Sequence, residues 1–486
     1  MHKTISDLQP AAVGAATTEA LMPTMAAIIN AAATHRRNLS AALLGGSAAL
    51  FIWIGIDTLP AAGRMALIVL ALSVIGWAMT DIPDSVVGLF AVAWLGAAGI
   101  VESKALYGTL GDDLIWLLVA ALIVAAILRQ SGLIDLAMDR ITRRVSSVRS
   151  LFLVLTFTIA VTAFLIPSTS ARAAVFLPVY LAVASRIESA NVRKALALMF
   201  PTVILLSAGG SLIGAGAHMV AADFILRTSG TQPDYFGWAV QAMPFATLTS
   251  LAATLLILHL FVSPAEQASR LQPPTGAAVP TSSSQRKLAI MLTAIVGLWM
   301  TSTLHGIDVA IVGIGGIAVM LLSGVVPIKS KDAFKAVDLE MIVFIATTLV
   351  LIQALTQHGV DRWIAVSMLG ALPEGIRTST IAVVIFVAAV SVLAHLIITS
   401  RSARASVLIP TVTMPLAALG HDPVQLIMVT VLGTGFCQTL TVSSKPIAIF
   451  SKLEETTFSG NDLMRLSLYL MPMMLATLVA FALVLW

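Results

Sequence analysis

From about residue 40 to its end the chain repeats one pattern. A run of apolar residues, close to the roughly 20 needed to cross a bilayer as helix, is followed by a few polar ones. Read in order, the runs predict apolar segments at 40–56, 63–79, 83–100, 114–129, 151–166, 171–185, 195–226, 240–262, 288–303, 308–326, 339–356, 378–397, 403–418, 424–450 and 464–486. Strict alternation of apolar and polar positions, the mark of a membrane β-barrel, is absent. The expected fold is therefore an all-α polytopic membrane protein. Two pairs of runs, 151–166 with 171–185 and 378–397 with 403–418, are separated by too few residues for ordinary spans. Each pair is expected to form a re-entrant hairpin whose tip stops at membrane depth, where it is buried in protein or lines a cavity. That leaves about eleven transmembrane helices plus the two hairpins.

The hairpin at 151–185 carries "IPSTSARAAVFLPV", which sets three hydroxyl residues and an arginine in apolar surroundings. It has a twin in "ITSRSARASVLIPT" of the hairpin at 378–418: Ser168 pairs with Ser400, Arg172 with Arg404 and Pro178 with Pro410. Upstream, "LRQSGLID" is echoed by "LTQHGVDR", so that Gln130 matches Gln357 and Gly132 matches Gly359. Downstream, "SAGGSLIGAGAH" and "FCQTLTVSSKP" each interrupt a long apolar run. Two halves with matching hairpins and matching broken helices are expected to be inverted repeats. That arrangement marks secondary transporters, which bind substrate near the bilayer midplane.

Composition agrees: 58% of the residues are hydrophobic and 11% are charged, against about 25% charged in soluble domains. The net charge of +4 does not indicate nucleic-acid binding, since most basic residues lie in loops between spans. With the N-terminus inside, "DRITRRVSSVR", "RIESANVRK" and "PIKSKDAFK" all fall on the cytoplasmic side, as orientation by positive charge requires. The domain reading is an N-terminal cytoplasmic segment at 1–38 and a first membrane half at 39–262 whose hairpin enters from the cytoplasm. A Pro/Ser/Thr-rich cytoplasmic linker at 263–287 leads to a second half at 288–486, whose hairpin enters from outside. The opening "MHKTISDLQPAAVGAATTEA" has no compact apolar core after a basic start, so no cleavable signal peptide is expected. The expected location is the cell's inner (plasma) membrane. The single Cys437 excludes a disulfide within the chain.

Paired hydroxyl-rich tips, a broken helix after each and this length resemble the divalent anion:sodium symporter family of dicarboxylate, citrate and sulfate carriers. The "PSTSAR" form of the tip is most similar to the citrate/succinate and 2-oxoglutarate/malate exchanger branch. The resemblance covers nearly all of the chain beyond about residue 40. It implies a scaffold domain and a moving transport domain (an elevator mechanism), a homodimer, and a substrate between the two tips. By resemblance Ser168, Thr169 and Ser170 form one tip, and Ser400, Arg401 and Ser402 the other. The family's central Asn is replaced by Thr169 in the first and by Arg401 in the second.

Arg172 and Arg404 lie just inside helix starts, where unpaired backbone N–H groups and a guanidinium fork suit carboxylates. Two readings stand for each: contact with substrate, or bracing of its own hairpin. Arg401 can point inward or snorkel outward. The hydroxyls of Ser168, Ser170, Ser400 and Ser402 can bind substrate or cap their helices. Gly209, Gly210, Gly214 and Gly216 are expected to unwind one helix beside Ser211 and His218, unless they serve close packing. Ser443, Ser444 and Lys445 precede Pro446 at the other break, where Lys445 is a candidate third cation for the substrate. His218 is either a proton carrier or a hydrogen-bonded structural residue. Asp113 and Glu340 read as solvated caps, and Cys437 as inert.

No cofactor is expected. Sodium is the possible coupling ion, with Ser168, Thr169 and Gly214 as its candidate ligands, but the Arg401 side chain offers a cation no oxygen and repels it. The function expected is secondary transport of small di- or tricarboxylate anions by exchange, with the organic anion and the bilayer as partners. A sodium-coupled dicarboxylate or sulfate symporter is the alternative. An anion channel and an intramembrane hydrolase are less favoured; no Gly-x-Ser-x-Gly, His-Glu-x-x-His or nucleotide-binding loop supports an enzyme or an ATP-driven pump.

Overall fold

The computed structural model describes residues 13–271, 280–371, 373–453 and 457–486. Residues 1–12 of the expected N-terminal segment and 272–279 of the linker lie outside them. Among the described residues the structure is helical throughout, apart from one isolated β-bridge between Ser147 and Arg270.

The first half begins with α1 (Val13–Gly55), α2 (Ala61–Met79), α3 (Asp84–Ala97), α4 (Ser103–Leu110), α5 (Asp113–Gln130) and α6 (Leu133–Arg144). The first of these helices already runs through residues expected to precede the membrane, and its "AAIINAAATHRR" is rich in alanine, the strongest helix former. The basic stretch "DRITRR", expected as loop, forms the end of α6. Its apolar positions Leu136 and Met138 are buried while its charged residues face outward, so it is an amphipathic helix beside the bundle.

The first hairpin follows, with α7 (Val148–Val161), a 3₁₀ turn at Thr162–Phe164 and α8 (Thr169–Ala184). Next come α9 (Ala190–Ser207), an unwound stretch, α10 (Gly216–Ser229), α11 (Tyr235–Phe261) and the short α12 (Pro264–Ala268) of the linker. The second half has α13 (Ser283–Met300), α14 (Ser302–His305), α15 (Val309–Leu322), α16 (Ser330–Lys335), α17 (Leu339–Gln357), α18 (Val360–Ala371) and α19 (Glu374–Thr378). Its hairpin is α20 (Thr380–Leu393), a 3₁₀ turn at Ala394–Leu396 and α21 (Arg401–Leu408). This continues through a π-turn at Ile409–Thr413 into α22 (Met414–Ala417). The chain ends with α23 (Pro423–Gly433), a second unwound stretch, α24 (Lys445–Ser451) and α25 (Gly460–Val484). Among the described residues seven helices are long and apolar enough to cross a membrane, and the shorter apolar ones include both hairpins.

The repeat extends well beyond the tip motif. Both α5 and α17 end on a glycine in the left-handed region, Gly132 at φ 66 and Gly359 at φ 70. An L side chain is strained there, which explains why glycine closes both helices. Helices α3 and α15 each cross the other half's long helix, α17 and α5 respectively. Corresponding glycines make both crossings. A Cβ on Gly88 would lie 2.2 Å from Thr347 Oγ1, and one on Gly313 would lie 2.6 Å from Ala120 Cβ. Such close crossings without side chains are how helices associate in lipid, where burial alone gives little drive.

The packing does not separate the halves. One group is α2, α3, α17 and α18; another is α7–α11 with α20, α21 and α23–α25, in which α11 packs on α25 and α24 on α8 and α9. The second group therefore holds the hairpins and broken helices of both halves.

Candidate functional site

Both hairpin tips open onto one cavity of about 420 Å³, a size usual for small-molecule sites. Ser168, Thr169 and Ser170 line it from one hairpin, and Thr399, Ser400, Arg401, Ser402 and Arg404 from the other. The two unwound stretches add Ala215 and Gly216 on one side and Cys437, Ser444 and Lys445 on the other.

Each tip forms because an apolar helix tightens to 3₁₀ geometry, breaks for a few residues, and restarts on a serine cap. Ser168 Oγ accepts from Ala171 N at 3.3 Å, and Ser400 Oγ accepts from Ala403 N at the same distance. The first serine of each tip is thus the cap. Ser170 and Ser402 face the cavity without that duty. The second tip is pressed against α10: a Cβ on Gly216 would lie 2.9 Å from Ser402 Oγ.

The glycine-rich break confirms unwinding and also the packing reading. A Cβ on Gly214 would meet the Ala208 carbonyl oxygen at 2.1 Å, so only glycine makes that turn. Gly209 and Gly210 instead pack against Leu432 and Met243, and the Gly209 carbonyl accepts from Trp238 Nε1 at 3.0 Å rather than facing the cavity. Gly214, expected as a sodium ligand, lies just before the cavity-lining Ala215 and Gly216.

The three arginines take different places. Arg172 is fully buried behind the first tip. It donates to the Ile204 carbonyl at 2.9 Å, the Ile159 carbonyl at 2.5 Å, Ser207 Oγ at 2.8 Å and Thr162 Oγ1 at 3.3 Å. Of its two expected readings the contacts fit bracing: it ties its hairpin to the end of α9, because two backbone carbonyls where helices end accept its N–H groups. Arg404 repeats the tie by donating to the Phe436 carbonyl at 3.0 Å, just beyond the end of α23. It also reaches Cys437 Sγ at 2.9 Å, lines the cavity, and has no partner for its buried Nε. Cys437, read as inert, therefore holds Arg404.

Arg401 points inward. Its terminal nitrogens approach the Leu205 and Val431 carbonyls at 3.5 Å each, and its buried Nε has no partner. It thus spans the ends of α9 and α23, the two broken helices. Ser443, expected in the site, instead closes the turn before α24, where its hydroxyl accepts from Leu440 N at 3.2 Å. Ser444 and Lys445 do line the cavity. His218 is fully buried; its Nδ1 lies 2.8 Å from the Ser211 carbonyl, and its Nε2 has no partner. Because a carbonyl only accepts, Nδ1 carries the proton and Nε2 is a bare acceptor.

Sequence reasoning missed the opposite wall. Asp81, Asp84, Asp338 and Glu340 also line the cavity, together with Trp77 and Phe344. Glu340 is exposed in the first turn of α17, as read, and also lines this cavity. The signal was its place in the first turn of α17, shared by Asp84 in α3, but sequence alone does not say that these two helix starts meet the hairpins. No group of three or more metal-ligating side chains is found among the described residues.

Comparison with known proteins gives a consistent picture. Residues 46–486 match the family described as the sodium:sulfate symporter transmembrane region. The chain is similar to dicarboxylate transporter 1, chloroplastic, of Spinacia oleracea, with 27% identity over 57% of this chain and 51% of that protein. It is similar to the citrate/succinate antiporter of Escherichia coli (strain K12), with 25% identity over 50% of each. The matches thus span about half the length of these relatives. In fold it is similar to the crystal structure of the Alcanivorax borkumensis YdaH transporter, with a TM-score of 0.55 at 15% identity over 87% of this chain and 98% of that one.

Proposed function

Because the chain belongs to the family of the sodium:sulfate symporter transmembrane region, we propose that it is a secondary carrier that exchanges small di- or tricarboxylate anions across the membrane. The observation that carries this reading is the one cavity shared by both tips, whose lining includes Arg401, Arg404 and Lys445. Three cationic side chains around one cavity suit a carboxylate, which takes charge-assisted hydrogen bonds from such groups. The similarity to a dicarboxylate transporter and a citrate/succinate antiporter supports organic anions over sulfate.

In this reading one carboxylate lies among Arg401, Arg404, Ser402 and Lys445. The other meets the hydroxyls of Thr169 and Ser170, with Ser168 and Ser400 keeping the tips in shape as caps. Arg172 braces the first hairpin and leaves the substrate to others. The substrate is held between helices that restart at the tips, with α8 and α21 directing their N-termini toward it. The hairpins and broken helices of both halves move together against the α2–α3–α17 wall. The inside placement of the basic loops supports a cytoplasmic N-terminus. A homodimer belongs to this reading on the family resemblance, and native mass measurement in detergent that finds monomer alone would remove it.

Coupling follows from charge. Arg401 stands where a neutral ligand would serve sodium, and unit charges about 4 Å apart repel by roughly 4 kcal/mol at an effective dielectric of 20. Exchange without sodium is therefore favoured over symport. The test is purified protein in liposomes loaded with unlabelled succinate, scored for uptake of labelled succinate and citrate with and without a sodium gradient. Fast uptake that needs internal anion and ignores sodium is expected. Concentrative uptake into empty liposomes that stops when choline replaces sodium would overturn the exchange reading.

A further inference from the structure

The cavity is divided by charge. Arg401, Arg404 and Lys445 belong to the group that carries the hairpins, whereas Asp81, Asp84, Asp338 and Glu340 lie on or beside the α2–α3–α17 wall. Opposite charges thus stand on the two bodies that the carrier reading sets in relative motion.

Asp84 is held firmly on its side. Its backbone carbonyl accepts from Trp77 Nε1 at 3.2 Å. Trp77 packs edge-on against Phe344 of α17 at 5.6 Å between ring centroids, and Gly88 lets α3 meet α17 at Thr347. Asp84, Glu340, Ser400 and Lys445 line one cavity, which sets the Asp84 side chain across from the Ser400 hydroxyl and the Lys445 ammonium. Ser400 suits this contact. Its oxygen is occupied as the cap of α21, so its hydroxyl hydrogen remains for a carboxylate. The attraction between Asp84 and Lys445 acts across the cavity rather than through a direct ion pair among the described residues.

We propose that Asp84, backed by Glu340, is a counter-charge latch: it holds the empty second tip, through Ser400 and Lys445, against the α3–α17 wall until a substrate anion takes its place. Asp84 is a positioning residue, since it meets the groups that bind substrate and repels the substrate itself. This rests on the carrier reading above and adds a cause for exchange. An empty carrier keeps its latch closed and stays put. An anion bound at Lys445 and Ser400 removes the attraction that held the two bodies together, and the loaded unit is free to cross. A ligand shifts such an equilibrium only by its differential interaction with the two states, and the competition for Lys445 supplies that difference.

The experiment compares the parent with Asp84→Asn, Asp84→Glu, Lys445→Met and the Asp84→Asn/Lys445→Met double variant in liposomes, with labelled succinate as the probe. Asp84→Asn is expected to lower the half-saturating succinate concentration about fivefold, the scale of a partly screened ion pair, and to raise uptake into liposomes without internal anion. Asp84→Glu should keep the parent's ratio of exchange to net uptake. In the Lys445→Met background the Asn change should shift both quantities by clearly less, because only the Ser400 side of the latch is left to release. A residue that merely supported the fold would weaken binding and turnover together. Parent-like affinity and parent-like net uptake in a folded Asp84→Asn protein would overturn the latch, as would an equal shift in the Lys445→Met background. The comparison runs equally on labelled sulfate. A parent that carries sulfate and not succinate would therefore remove the carboxylate reading while the variants still decide the latch.

Discussion

Arg172→Ala separates bracing from binding. The substitution removes donors to the Ile159 and Ile204 carbonyls, Ser207 and Thr162. Ile159 keeps a partner, because Thr162 Oγ1 donates to its carbonyl at 2.7 Å. Ser207 likewise keeps its bond to the Val203 carbonyl at 2.5 Å. The Ile204 carbonyl is the group left buried and bare, at about 1–3 kcal/mol. The void left by a large, fully buried side chain adds a term of similar size, while losing an unpaired buried charge offsets part of both. We expect a net destabilisation of about 2–4 kcal/mol, read as a fall of several degrees in melting temperature in detergent. In whatever fraction remains folded, the succinate concentration for half-saturation should stay within about twofold of the parent, because Arg172 does not line the cavity. Arg404→Ala should instead raise that concentration at least about tenfold, since it removes a cation that lines the cavity. An Arg172→Ala protein that melts like the parent but no longer binds succinate would refute the bracing argument.

Two further outcomes follow from contacts outside the site. Gly88→Ala and Gly313→Ala should each destabilise the protein by about 1–3 kcal/mol in thermal melts, because each inserts a methyl into an equivalent helix crossing; loss in only one would show that the crossings are not equivalent. Glu266 of α12 accepts from Ser189 Oγ at 2.6 Å and from Ser263 N and Oγ at 2.9 and 2.8 Å, and these bonds hold its carboxyl down at about 2 from an ordinary 4.5. A depressed carboxyl stabilises above its unfolded value and loses that contribution as pH falls toward the folded one. Exchange protection of the Val192 amide should therefore stay flat from about pH 8 to about pH 5 and decline below about pH 4.5, and Glu266→Gln should remove the acid decline.

Much of this architecture was legible because lipid leaves few choices. A chain with long apolar runs must bury its backbone hydrogen bonds in helices, so apolar length alone placed α5, α17 and α25. Two copies of Ser-x-Ser-Ala-Arg located both tips, and Pro446 marked the second break. Direction was not legible. A guanidinium within reach of a cavity and of a freed carbonyl reads the same in sequence, and Arg172 went to the carbonyls because α9 ends beside it. The linker was also opaque. Its polar composition reads as loop, yet Gln285 Nε2 donates to the Ser131 carbonyl at 3.1 Å, Arg140 bonds Thr281, and Val148 N donates to the Ser269 carbonyl at 3.2 Å. These contacts tie the linker to α5 and α6 at one end and to the first hairpin at the other. The acidic wall was hidden for a related reason: Asp84 and Glu340 obey the usual preference for carboxylates in a first turn, which masks any further role.

In the proposed carrier, the differences between the two halves set the specificity. Both hairpins keep the serine cap, the 3₁₀ turn and an arginine tied to the following broken helix, so those features serve the shape of a tip. What differs is what each tip offers a ligand. The first has hydroxyls alone, and its arginine is spent on four protein acceptors. The second has Arg401 in the triplet, a partly unpaired Arg404 and Lys445 at the break. A ligand lying between them meets concentrated positive charge at one end and neutral hydrogen-bond donors at the other. Such a field orients an anion whose charge is unevenly shared and holds each end by different chemistry. The inverted repeat thus supplies a symmetric frame, and a few substitutions in one copy give the site its polarity. In the proposed carrier this polarity favours exchange over cotransport with a cation.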